Sequence, residues 1–121
     1  MNSILIITEQ FMMGGLETHI RGEIIYLHSQ GFQVHLAVGE QFSDVLVPPG
    51  LDSLTTGIVL GPAASAGQMM EAVHCIRGII RQNAVDLVHV HPFSSLLPGI
   101  IAAQAEGVPA VITLHGPASL D

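Results

Sequence analysis

The spacing of apolar positions changes period several times along the chain, and each change marks an element. Ser3–Thr8 (SILIIT) is continuously apolar in its middle and reads as a strand buried on both faces. From about Leu16 the period becomes helical. Leu16, Ile20, Ile24 and Leu27 recur at i, i+4, i+8 and i+11 and form one helix face, which Gly31 closes. Phe32–Val38 (FQVHLAV) is a second strand. The pattern then places a short helix at Phe42–Leu46, a turn at Pro48-Pro49-Gly50 and a third strand within Thr55–Leu60. Ser65 caps a second long helix whose buried face carries Met69, Val73, Ile76 and Ile80. Asp86–His91 (DLVHVH) is a fourth strand. Ser94 or Ser95 caps a third helix that runs to about Glu106 and ends at Gly107, and Ala110–His115 (AVITLH) is a fifth strand.

Buried strands alternating with helices mean a parallel sheet covered on both faces. With right-handed crossovers the expected fold class is α/β, one Rossmann-like domain over residues 1–121. The run from Leu96 to Leu114 is apolar enough to raise a membrane span. Pro98, Gly99, Gly107, Pro109 and the acid Glu106 interrupt it, so it reads instead as a buried helix, a turn and a buried strand.

Composition narrows the function classes. The 121 residues are 49% apolar and only 11% charged, a greasy balance that implies apolar surface meant to meet something else. There is no lysine, and Arg21, Arg77 and Arg81 cannot build a basic patch, so the net charge of -7 argues against nucleic acid. The lone Cys75 excludes an intrachain disulfide and reads as a small apolar helix residue. The N-terminus lacks a secretory signal, and the expected compartment is the cytoplasm.

In such sheets ligands gather outside the carboxyl ends of the strands. There the order of elements collects Gly14, Gly15, Glu17 and His19 after strand one, His89 and His91 at the end of strand four, and His115 at the end of strand five. A helix N-terminus offers unpaired N–H groups and positive potential, and glycines let a phosphate oxygen come close. The same pair also suits a tight turn. Neither GxGxxG nor a Walker sequence is present. His89 and His91 are spaced two apart on a strand, so both imidazoles point to one face, which is metal-ligand spacing; His115 could complete a zinc set. The only strand-four carboxylate, Asp86, is at the opposite end. Glu17 and Arg21 are spaced for a surface ion pair worth about 0.3–0.5 kcal/mol. His28, His35 and His74 lie away from the rim and read as structural or solvated.

Three stretches laid out this way resemble glycosyltransferase family four, a family of retaining enzymes with the GT-B fold. They are GGLETHI after strand one, LHSQGFQVHLAV into strand two, and DLVHVHPFSSLLPGIIAAQAEGVPAVITLHG from strand four to strand five. The resemblance runs from residue 3 to residue 117 and covers the N-terminal, acceptor-side domain. It implies that Gly14 and Gly15 approach the donor diphosphate and that His115 lies near the transferred sugar as the catalytic residue. It also implies that His89 to Ser94, with Glu17 and His19, face the acceptor cleft. The implied partners are a nucleotide sugar and an acceptor, and no metal or other cofactor is expected. Nothing in the chain corresponds to the nucleotide-binding C-terminal domain, so the chain reads as a truncated N-terminal domain, inactive alone. It is expected to self-associate through faces that the missing domain would cover. In the full-length protein a location peripheral to the membrane is compatible with this reading. Two alternatives stay open: a free-standing or split module that pairs with a separate donor-binding chain, and a zinc hydrolase built on His89, His91 and His115.

Overall fold

The computed structural model describes residues 2–11, 15–42, 49–60, 64–91 and 96–112. Its elements are β1 (Ser3–Phe11), α1 (Gly15–Ser29), β2 (Gln33–Phe42), β3 (Ser53–Thr55), α2 (Ala66–Gln82), β4 (Leu87–Val90), α3 (Leu96–Ala105) and β5 (Ala110–Ile112). All strand pairs are parallel, in the order β3-β2-β1-β4-β5. The α/β class expected from the pattern is the observed one.

Strand alternation divides the core into two layers. Ile4 and Ile6 of β1, with Val34, Leu36 and Val38 of β2, pack against Ile20 and Ile24 of α1. Leu5 and Ile7, with Ala37, Val88 and Val90, pack on the other face against α2 and α3. Each fully buried Leu or Ile contributes about 1.5–3 kcal/mol, which makes the central strands the most stable part of the domain. Gly99 lets α3 lie close to the sheet: a Cβ there would come within 2.9 Å of Val90 Cγ2.

The caps match the sequence. Ser65 Oγ accepts from the Gln68 N–H at 3.1 Å while Gln68 Oε1 accepts from the Ser65 N–H at 2.9 Å, a reciprocal box. Gly31 and Gly107 sit at φ of 89° and 71° just beyond their helices. On the buried face of α2, Val73, Ile76 and Ile80 are joined by Ala72 and Ile79, and Met69 is half-buried. Glu106 receives Arg77 Nε at 2.8 Å and Arg81 Nε at 3.0 Å, tying α2 to the end of α3. The hydrogen bonds from Arg81 and then Arg77 hold its carboxyl below the ordinary range. Cys75 is half-buried on α2 beside the core, as its apolar reading requires.

Several boundaries differ from the pattern. β1 and β2 run three or more residues further than expected, because their ends pair with each other through Phe11 and Phe42. Phe42 is therefore strand where a helix was expected; 43–48 lie outside the described residues. The third strand comes earlier, at Ser53–Thr55, where it pairs with His35–Ala37. Gly57, at φ 81°, turns the chain out of strand geometry, although the Ile58 N–H still donates to the Val38 carbonyl at 3.3 Å. β5 is exposed rather than buried, because it is an edge strand in this order. No described helix is long and apolar enough to cross a membrane.

One polar residue is built into the core. His35, 3% exposed, sits between Ser3 Oγ at 3.0 Å from Nε2 and Ser53 Oγ at 2.8 Å from Nδ1. Ser3 donates its hydroxyl proton to the Asn83 carbonyl at 3.0 Å. The imidazole must then donate from Nε2 to Ser3 and accept at Nδ1 from Ser53. Burial lowers the pKa of His35, and Asp52 only partly opposes it. His35 is thus a structural histidine, and His28 and His74 are exposed, as expected of residues away from the rim.

Candidate functional site

β4 alternates Val88 and Val90 into the α2–α3 layer, so His89 and the following His91 project to the face covered by α1. The His91 N–H donates to the Ile7 carbonyl at 2.9 Å, extending the β1–β4 ladder by one residue and fixing where that imidazole stands. About two turns into α1, Glu23 falls between Ile20 and Ile24 on the helix face turned to the sheet. Its carboxylate meets both imidazoles. His89 Nδ1 donates to Oε2, and His91 Nε2 lies 3.3 Å from Oε1. The two rings have centroids 4.5 Å apart, and the His19 ring stands edge-on to His91 at 6.2 Å.

The cluster is nearly dry. His91 is fully buried, and the side chains of His89 and Glu23 are 14% and 19% exposed. Burial by itself would raise the Glu23 carboxyl. The hydrogen bonds from His89 and His91, reinforced by their charge, more than offset it and bring the carboxyl down to about 2. Glu23 is therefore an anion at neutral pH and an acceptor only, which makes each imidazole the donor on the nitrogen that faces it.

Among the residues singled out in the sequence, His19, His89 and His91 come together at this edge. Gly15 opens α1 as the strand-to-helix hand-over required. Glu17 lies in the first turn of α1, and its side chain is outside the described set. Gly14, Ser94 and His115 lie outside the described residues. The sequence reading missed Glu23. Strand four carries only Asp86, at its opposite end, and the carboxylate comes instead from a helix sixty-six residues before His89. A signal was present: an acid set three residues after Ile20 and four before Leu27, inside the apolar stripe of an amphipathic helix.

A separate cavity of about 200 Å³ lies between β3 and α2, lined by Thr55, Gly57, Ile58, Gln68, Glu71 and Cys75. Burial pushes the Cys75 thiol up, which leaves it a poor nucleophile at neutral pH. The cavity does not reach the histidine cluster.

Residues 13–120 match the family described as Glycosyltransferase Family 4. No curated protein matches the sequence. Several solved structures share the fold. MurG from Acinetobacter baumannii superposes with a TM-score of 0.70 at 17% identity, covering 96% of this chain and 36% of that one. The lipopolysaccharide outer core galactosyltransferase WaaB, in its apo form, gives 0.68 at 14% identity, covering 94% and 32%. The C-terminal domain of the PF1911 hydrogenase from Pyrococcus furiosus gives 0.64 at 15% identity, covering 93% and 91%. The chain thus spans about a third of the length of MurG and of WaaB. At these identities the likeness is one of fold, and the same fold serves unrelated chemistries.

Proposed function

Because the chain belongs to glycosyltransferase family 4, we propose that it forms the acceptor-side domain of a retaining enzyme that moves a sugar from a nucleotide-sugar donor. The family match over residues 13–120 carries this reading. The position of the polar cluster supports it. His19, His89, His91 and Glu23 gather at the carboxyl edge of a parallel sheet, where such sheets bind their ligands. In this reading the N–H groups of Gly14 and of Gly15, the first residue of α1, stabilise the negative charge that grows on the leaving diphosphate. His115 hydrogen-bonds the donor sugar and holds it in place. The bond from the sugar to the diphosphate breaks, and the bond to the acceptor hydroxyl forms on the same face. The hydroxyl proton passes to the departing phosphate. His19, His89 and His91 line the acceptor side, and Glu23 holds the last two in register. No metal takes part in the transfer, and the full-length protein works in the cytoplasm, peripheral to the membrane.

The test is transfer of a labelled sugar by the full-length protein that carries this domain, compared with its His115→Ala variant. The expected result is a fall in kcat of about 100-fold or more. Near-normal turnover removes His115 from the mechanism. The anomeric configuration of the product, read by NMR, decides retention.

The same reading supplies a reason for the apolar surface. Leu97 and Ile101 on α3, with Val111 and Ile112 on β5, are all more than a third exposed. We expect the chain to self-associate when these residues have no domain to meet. Its sedimentation coefficient should rise with concentration; a constant value counts against this.

A further inference from the structure

We propose that Glu23, His89 and His91 form a binding site for one divalent transition-metal ion of the zinc class, independent of the sugar-transfer reading. Three observations carry it. The first is the donor set: two imidazoles and one carboxylate are a ligand combination that suits zinc, whereas calcium and magnesium take oxygen ligands. The second is convergence. One ligand atom from each of the three residues lies within 4.8 Å of the others. In a tetrahedral zinc site with bonds near 2.0–2.2 Å, neighbouring ligand atoms stand about 3.4 Å apart. His91 Nε2 and Glu23 Oε1 are already at 3.3 Å. The third is rigidity. The two histidines are fixed by the β1–β4 ladder, and Glu23 is fixed between two fully buried isoleucines of α1. The ligands are therefore held by the fold before any ion arrives, and binding needs little reordering.

The chemistry of loading is an exchange at the same atoms. Without metal, His89 Nδ1 and His91 Nε2 each present an N–H to the carboxylate. On binding, each of these nitrogens gives up its proton, to the other ring nitrogen or to solvent, and its lone pair takes the ion. Glu23 changes from hydrogen-bond acceptor to ligand. Three protein ligands leave one position for water. The consequence is mechanical: the ion adds a bridge from α1 to β4 beside the carboxylate contacts and the edge-on His19–His91 rings.

The experiment uses the chain stripped with chelator and then titrated with Zn²⁺ or Co²⁺ and no other ligand. One equivalent of Zn²⁺ should bind by calorimetry, and Co²⁺ should give the intense visible bands of a four-coordinate ion. The unfolding temperature should rise with metal concentration, as it must when an ion binds only the folded state. Glu23→Gln should weaken binding by at least about tenfold and shrink the thermal shift at a given metal concentration. The doubly substituted His28→Asn, His74→Asn control should keep both. If Glu23→Gln does not fold, the imidazole nitrogen resonances of the native chain decide. Zinc must shift His89 Nδ1 and His91 Nε2. Absence of saturable binding, binding lost in the surface-histidine control, or imidazole signals of His89 and His91 that do not respond would each overturn the proposal.

Discussion

Gly39→Ala is expected to destabilise the domain by about 4 kcal/mol, the range reserved for changes that cannot be repacked. The cause lies in the pairing of the two longest strands. Thr8 pairs with Val38 and Gln10 with Gln41, so Gly39 and Glu40 together face the single residue Glu9. This is a β-bulge toward the carboxyl ends of β1 and β2, with one extra residue on β2. A Cβ on Gly39 would sit 2.1 Å from the Glu9 carbonyl oxygen, with the carbonyl carbon at 3.1 Å and Cα at 3.4 Å. All three atoms are backbone, so no rotamer change relieves the clash; the pairing beyond Val38 must open. Gly22 provides the contrast. It is an exposed position within α1, and nothing lies within 4 Å of a Cβ built there. Gly22→Ala should stabilise by about 0.5–1 kcal/mol through helix propensity. Urea unfolding of the two variants checks both signs, and a Gly39→Ala midpoint near that of the native chain would refute the bulge argument.

Glu23→Ala is expected to cost about 3 kcal/mol, which is roughly 10 °C or more in unfolding temperature for a domain of this size. The figure follows from what is left behind. Two imidazole N–H groups, one on a fully buried ring, lose a charged acceptor, and hydrogen bonds to charged groups contribute about 1.5–3 kcal/mol each. Removing a carboxylate that is itself mostly buried recovers part of the sum. Glu23→Gln keeps one acceptor oxygen and should lose about half as much.

The pH dependence has a definite sign. The carboxyl titrates at about 2 in the folded chain against an ordinary 4.5. A depressed carboxyl binds fewer protons folded than unfolded. Its stabilisation is therefore complete above about pH 4.5 and is lost as the pH falls toward 2. Native protein should show this acid loss in a series of urea midpoints, and Glu23→Gln should show a shallower slope between those limits. An identical slope in both would mean that the carboxylate is not held by the histidines as described.

How much of this could be read in advance depends on the kind of contact involved. Local physics placed the helices. An apolar stripe at helical spacing, a Ser65–Gln68 capping pair and glycines at Gly31 and Gly107 act within a few residues and leave the same trace in any fold. The buried strands were legible for the same reason, as was the layer structure that follows from alternating strands and helices. The strand ends were not. β1 and β2 extend to Phe11 and Phe42 because they pair with each other around a bulge, and the third strand shifts to Ser53 because of where β2 offers partners. β5 reads as buried and is exposed, since its place at the sheet edge is set by strand order.

The site divides in the same way. The two-residue spacing of His89 and His91 determined that both imidazoles share a face, and the order of elements determined that this face opens at the carboxyl edge near His19. That Glu23 completes the cluster was decided by tertiary structure. It depends on α1 crossing the sheet at an angle that brings a carboxylate from early in the chain onto β4, and no pattern within either segment encodes that crossing. The sequence alone therefore established the fold class, the family resemblance and the shared face of His89 and His91. The three-dimensional packing alone turned a pair of histidines and a misplaced-looking acid into one buried polar centre, because an ionised carboxylate can be held in an apolar layer only where partners from elsewhere in the chain meet it.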